Sequence, residues 1–464
     1  MTQIVKSELA KKVLVPLLVL SLLAAMVGVL AKSNYVRAEE APGLPTFDIP
    51  ALSSEHQTSS LPNVIVVATG GTLAGKARDD DKTNFQNYAA GTFKMADLVA
   101  QLPKHKTADV STFQFGNKGS GGYTIKELYD LSLAVDAALK IYDSAVVTTG
   151  TDTMEEIAYF LDLTVRSEKP VVVTGAMRPW DVIGTDGPAN LYQAIKVAGS
   201  DKTKWFGTVV MLNDVIYAAR EVTKTNAHRN DTFDAPMFGA LGYVDDPAVR
   251  IYRAPARAAK AGKSTWASPF DLRTISKDSL PIVEIVYSYQ EAGGGAIRGL
   301  VADGAKGIVT AGTGAGGISS QLSTARSAAI KDKGVVFVST TRTGSGSIYD
   351  SGSGNVIGGD NLNAAHARMM LLLSLAFTND VSTIRNWFTT FGTQDVEISV
   401  DENTVLSTSV EEPIVTEPTP EAVLPTATAS PTTEPTTAPT ADSTIDPTTE
   451  PATEPTTETV PVTP

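Results

Sequence analysis

The chain has 464 residues, no cysteine and a formal net charge of −13. The missing cysteine excludes a disulfide framework and thiol chemistry. The negative charge sits at one end: fourteen acidic residues lie beyond Arg385, the last basic residue, and the rest carries a net charge of +1, which leaves no electrostatic footprint for nucleic acid.

Residues 13–31 form an apolar run behind Lys6, Lys11 and Lys12, the pattern of an export signal with a basic n-region. Its length approaches the roughly 20 residues that cross a bilayer. Residues 1–38 therefore read as a signal peptide or, alternatively, a retained membrane anchor. A secreted, periplasmic or cell-envelope location follows, and the absence of cysteine fits it. Residues 39–60 read as a polar, proline-bearing spacer, with the globular part starting near Leu61.

From there apolar runs at 64–68, 145–149, 171–174, 208–212, 282–287, 307–310 and 335–339 alternate with helical stretches such as 154–165, 188–198 and 320–332. Runs without polar alternation suit parallel strands covered on both faces, and alternating β and α predicts a doubly wound sheet. The expected fold is α/β with two domains. A larger N-terminal catalytic domain of mainly parallel strands spans 61–250, and a smaller C-terminal α/β domain spans 281–395. They are joined by a connection over 251–280. Residues 396–464 form a Thr/Pro/Glu-rich tail with no apolar face to bury, expected to be disordered.

Two turns carry the chemistry. Val64-Ile65-Val66-Val67-Ala68 runs into Thr69-Gly70-Gly71-Thr72, and Ala145-Val146-Val147 runs into Thr148-Thr149-Gly150-Thr151-Asp152-Thr153. Hydroxyls held just beyond parallel strands are where α/β sheets bind ligands. Plainer readings exist. Asp152 with Glu155, or Thr153 with Glu156, spells a capping box, which explains one side chain but not the whole group. Gly70 to Lys76 has phosphate-loop spacing, but Ala77 replaces the hydroxyl that would hold magnesium. His56, His105, His228 and His366 lack metal-ligand spacing, and no serine sits in a nucleophile elbow. No metal or cofactor is expected.

With Thr69-Gly70-Gly71-Thr72-Leu73-Ala74-Gly75 and Thr149-Gly150-Thr151-Asp152-Thr153-Met154-Glu155-Glu156 stand Val173-Thr174-Gly175-Ala176-Met177-Arg178-Pro179, Asp186-Gly187-Pro188-Ala189-Asn190-Leu191 and Val222-Thr223-Lys224-Thr225-Asn226. In this order they resemble the bacterial-type (type II) L-asparaginases and their glutaminase-asparaginase relatives over about residues 61–392. The resemblance implies hydrolysis of L-asparagine to L-aspartate and ammonia. It makes Thr72 the nucleophile, Tyr88 a helper on the lid that follows it, and Thr151 the second catalytic threonine. It makes Asp152 the grip on the substrate ammonium and Ser120 the holder of its carboxylate. The lysine partner of Thr151 is assigned to Lys202, within Ser200-Asp201-Lys202. The resemblance also implies a homotetramer in which each site is completed by a neighbour.

The chemistry is coherent without the family. A threonine hydroxyl needs a base or a strong local field to attack an amide. A desolvated lysine surrenders its proton more readily, and backbone N–H groups in glycine turns can hold an oxyanion. Three positions depart from the family pattern: Thr149 replaces a histidine, Gly121 a polar residue and Ser288 an asparagine. Glutamine as a further substrate therefore stays open, and so does the alternative of a catalytically silent surface binding module on a stalk.

Overall fold

The computed structural model describes residues 43–396. The apolar run at 13–31 and the tail, apart from Val396, lie outside them. In chain order come α1 (Ser54–Thr58), β1 (Asn63–Gly70), a ribbon of β2 (Lys76–Ala77) and β3 (Tyr88–Ala89), α2 (Met95–Val99), β4 (Asp109–Lys118), α3 (Ile125–Leu139), β5 (Ser144–Thr148), α4 (Met154–Thr164), β6 (Val171–Thr174), α5 (Gly187–Gly199), β7 (Thr208–Leu212) and β8 (Val215–Ala218). A second ribbon, β9 (Thr223–Lys224) with β10 (Phe233–Asp234), precedes the hairpin β11 (Gly242–Asp245) and β12 (Ala248–Ile251). The second half holds β13 (Val283–Tyr287), α6 (Gly295–Ala302), β14 (Gly307–Gly312), α7 (Ser320–Lys333), β15 (Val336–Thr341), β16 (Val356–Gly358), α8 (Ala364–Phe377) and α9 (Val381–Phe391).

The first eight-stranded sheet has the order β12-β11-β8-β7-β6-β5-β1-β4. Strands β4, β1, β5, β6 and β7 are parallel, and β8, β11 and β12 extend the sheet antiparallel. After β1 the chain places β4 on one side and every later strand on the other. The order therefore reverses at β1, and a crevice opens beyond the carboxyl ends of β1 and β5. The second sheet, β13-β14-β15-β16, is wholly parallel.

Burial follows the strand period. Ile65, Val67, Ala145, Val147 and Val173 face a core that takes in Leu131 of α3, Phe160 and Leu161 of α4, and Met370 and Leu371 of α8. Val64, Val66, Val146 and Val172 face the other side, against Leu191, Ala194 and Ile195 of α5. Both faces of each strand are covered, which is why the sequence shows unbroken apolar runs. The first core also contains Val309 and Val338 of the second sheet, so α4 and α8 join the halves through shared packing.

Two connecting segments pack against the core. Residues 43–60 are not merely a spacer. Ile49 is fully buried, Leu44, Phe47 and Leu52 pack on the core, and the Tyr142 hydroxyl donates to the Pro50 carbonyl at 2.9 Å. Scattered apolar residues on an extended segment have no helical or strand period to announce them. The connection at 251–280 is likewise packed: Phe270 is buried between Phe377 and Trp387, with ring centroids at 5.6 and 5.3 Å.

Candidate active site

Beyond β1 the backbone turns at Gly70 and Gly71, with φ of 109° and 76°, values that favour glycine. The turn needs glycine for space as well. A Cβ on Gly71 would lie 2.3 Å from the Gly150 nitrogen. The two hydroxyl-bearing turns therefore touch, backbone on backbone. A third turn stacks on them, since a Cβ on Gly150 would lie 2.8 Å from the Ser120 nitrogen and 3.0 Å from its Oγ. Thr72, Ser120 and Thr151 are all buried.

A fourth segment backs the group. A Cβ on Gly175 would meet the Thr149 carbonyl at 2.5 Å and Thr151 Cγ2 at 3.4 Å. Asp186 holds that segment by accepting the Met177 and Arg178 N–H groups at 2.9 Å and the Asn190 amide at 3.0 Å. The Asp186-Gly187-Pro188 motif thus has a scaffolding job, with Pro188 in the first turn of α5 where its missing N–H is harmless.

Each threonine has its own partner. Thr72 Oγ1 lies 2.8 Å from the Tyr88 hydroxyl. The ribbon β2–β3 brings Tyr88 back over the turn by pairing it with Ala77. The segment between these strands is held by Asp181, which accepts the Ala77 N–H at 2.8 Å and pairs with Lys82. Arg178 adds a stack on the Phe85 ring, 4.5 Å from its centroid.

Thr151 Oγ1 accepts from Lys224 Nζ at 2.9 Å, and the same ammonium pairs with Asp152 at 2.7 Å. Lys224 is largely buried, whereas the Asp152 side chain is 82% exposed. Asp152 can therefore meet an incoming cation without rearrangement of the core.

Lys202 is not the partner of Thr151. Its ammonium donates to the Val249 carbonyl of β12 at 2.5 Å. The reason is topological. α5 leaves the carboxyl end of β6 and runs back along the sheet, so Lys202, just after α5, is delivered to the opposite end. Lys224 stood in the quoted Val222–Asn226 segment, and a cation flanked by threonines was its only local signal.

The capping boxes read from Asp152/Glu155 and Thr153/Glu156 do not form, because no side chain caps the start of α4. Glu155 turns instead to the backbone of Lys224, at 2.7 Å. Thr149 is fully buried, and its hydroxyl has no partner among the described residues. Gly121, beside Ser120, is exposed, and a Cβ there would find nothing within 4 Å. Ser288 is buried at the end of β13, while Tyr287 and Tyr289 beside it are exposed.

Among the described histidines, His105 stacks on Tyr192 at 4.1 Å and His366 packs against Tyr159 at 5.0 Å. Burial lowers their pKa values to about 4 and about 3. Among the described residues no group of three or more His, Cys, Asp or Glu could hold a metal ion. A cavity of about 600 Å³ lies elsewhere, lined by Arg220, Arg257, Trp266 and Phe388, and contains none of the site residues. No helix among the described residues is long and apolar enough to cross a membrane.

Residues 63–257 match the family model of the asparaginase N-terminal domain, and residues 282–388 that of the glutaminase/asparaginase C-terminal domain. The chain is 42% identical to L-asparaginase 2 of Bacillus subtilis (strain 168), an alignment covering 72% of this chain and 88% of that protein. It is 38% identical to the probable periplasmic L-asparaginase of Haemophilus influenzae, covering 72% and 94%. The crystal structure of a probable cytoplasmic L-asparaginase from Campylobacter jejuni superposes with a TM-score of 0.66 at 37% identity, over 71% of this chain and 99% of that one. Two matched domains in one reading order, around a site built from touching threonine turns, place this chain in the asparaginase family.

Proposed function

We propose that the protein hydrolyses the side-chain amide of L-asparagine, giving L-aspartate and ammonia through a threonine-bound acyl-enzyme. The observation that carries this reading is the backbone contact between the turns of Thr72 and Thr151, each hydroxyl bearing its own proton-handling partner. Thr72 Oγ1 attacks the amide carbon, and its proton passes through the Tyr88 hydroxyl to the amide nitrogen. The tetrahedral oxyanion is held by backbone N–H groups of the glycine turns. Collapse breaks the C–N bond, and a proton relayed by Thr151 and Lys224 departs with the ammonia. Water then gives one proton through Thr151 to the neutral Lys224 and attacks the ester, and as aspartate leaves as its carboxylate the second proton of that water restores Thr72. Asp152 takes the substrate ammonium and Ser120 its carboxylate.

The test is ammonia release by Thr72→Ala and Thr151→Val. Each should lose turnover while keeping the fold, because neither opens a large cavity; wild-type turnover in either would refute the assignment. Glutamine is proposed as a second substrate, because Gly121 beside Ser120 leaves free the space a side chain would take, and relative turnover of the two amides decides it. The homotetramer and export through the segment before residue 39 are part of the same reading. Sedimentation of the purified protein and N-terminal sequencing of the mature chain test them.

A further inference from the structure

Lys224 is placed by its strand, and that strand is only two residues long, paired with β10 at two positions. An isolated ribbon of that size has little rigidity of its own. What holds it is a part-buried carboxylate from another element. Glu155, in the first turn of α4 and four residues after Thr151, accepts the Lys224 backbone N–H on Oε2 at 2.7 Å. Its Oε1 faces the Asn363 amide at 3.4 Å.

Asn363 is the N-cap of α8, and its own oxygen accepts the His366 N–H at 2.8 Å. Glu156 with Arg368 at 3.3 Å, and Tyr159 against His366, continue the contact between α4 and α8. Burial raises the pKa of Glu155, while the Thr223 hydroxyl and the Lys224 amide oppose the shift. Burying a carboxylate costs free energy unless its oxygens are used, and no helix cap uses this one.

We propose that Glu155 is a positioning residue for Lys224. It fixes the β9 backbone against the turn carrying Thr151, sets the approach of Nζ to Oγ1, and ties both to α8 of the second half through Asn363. This rests on the role given to Thr151 and Lys224 above. A displacement of about 1 Å at a reacting group can cost about 10²-fold in rate.

The experiment compares Glu155→Met, which keeps the chain length and removes both acceptors, with Glu155→Gln, which keeps one. Purified full-length variants are assayed for kcat, KM and thermal midpoint. Glu155→Met should lower kcat about 10–100-fold with KM within about twofold, and Glu155→Gln should recover kcat to within about threefold of wild type. A merely structural role would lower the thermal midpoint and leave kcat per folded molecule unchanged, which would overturn the proposal.

Should Glu155→Met not fold, Asn363→Ser decides. It retains a helix cap and removes only the contact to Glu155. A lowered kcat supports the proposal and an unchanged one overturns it. Lys224→Met is run alongside. If it is active, the reading of the site itself fails. If it is inactive while Glu155→Met matches wild type, only the positioning role falls.

Discussion

Gly71→Ala is the sharpest test of how this site is assembled. The added methyl carbon would sit 2.3 Å from the Gly150 nitrogen and 2.6 Å from its Cα. Ordinary contact begins near 3.4 Å, so one threonine turn must move by about 1 Å relative to the other, and backbone cannot swing aside as a flexible side chain does. A shift of that size costs about 10²-fold in rate when reacting groups depend on alignment. The φ of 76° adds strain of roughly 1–2 kcal/mol for a residue with a Cβ. The two contributions are separable. Gly239→Ala carries the same backbone penalty, at φ of 71°, but its methyl group meets nothing within 4 Å. Ammonia release and thermal unfolding should show Gly239→Ala slightly less stable and fully active. Gly71→Ala should be less stable and at least about 10²-fold slower per folded molecule. A Gly71→Ala enzyme with wild-type kcat would mean that the two turns do not act as one unit, and the mechanism above would fall with it.

Three further outcomes follow from the same geometry. Lys224→Met should lower kcat by about 10²–10⁴, the usual worth of positioned proton transfer, while Lys202→Met, remote from the threonines, should leave steady-state turnover within about twofold of wild type. Tyr88→Phe removes the hydroxyl 2.8 Å from Thr72 but keeps the ring against Gly75, so kcat should fall at least about tenfold with little change in thermal midpoint. The buried His366 has a folded pKa lowered to about 3, against about 6.5 unfolded. The unfolded state takes up the proton first, so this contribution to stability is present above pH 6.5 and is lost as pH falls toward 3. In His366→Phe, denaturant unfolding across that window should show less loss of stability on acidification than wild type, and an equal pH slope in both proteins would contradict the assignment.

Much of the architecture was legible because parallel strands buried on both faces leave an unmistakable trace. Val64 to Ala68 and Ala145 to Val147 are apolar at every position, and the structure buries every one of them. The packed segment at 43–60 left no such trace. Ile49, Phe47 and Leu52 are single apolar side chains on an extended stretch, and what fixes them is the surface they meet, formed by residues far along the chain such as Tyr142. Glu155 shows a related effect. Its spacing from Asp152 fits a local cap, yet a distant backbone N–H takes its carboxylate, since tertiary partners can outcompete a capping pattern whose worth is about 1 kcal/mol.

The lysine beside Thr151 marks where reading by position along the chain gives out. Thr72 and Thr151 sit immediately after parallel strands, so the strand direction alone places both at the carboxyl end of the sheet. Lys202 follows a helix, and a crossover helix returns the chain to the other end before the next parallel strand begins. The direction of α5 is thus sufficient to exclude Lys202, whatever its distance in sequence from Thr151. Lys224 escapes the rule although it follows β8, which runs antiparallel to β7 and ends beside the start of that strand, because residues 219–222 carry the chain back to the short ribbon beside α4. A lysine placed so indirectly needs something other than its own strand to hold it. Its backbone is fixed by Glu155 and its ammonium by Thr151 and Asp152, three side chains drawn from the same short stretch that opens α4. That concentration explains why the Thr151 motif extends past the threonine into the helix behind it: the stretch supplies both the threonine and the fixture for its partner.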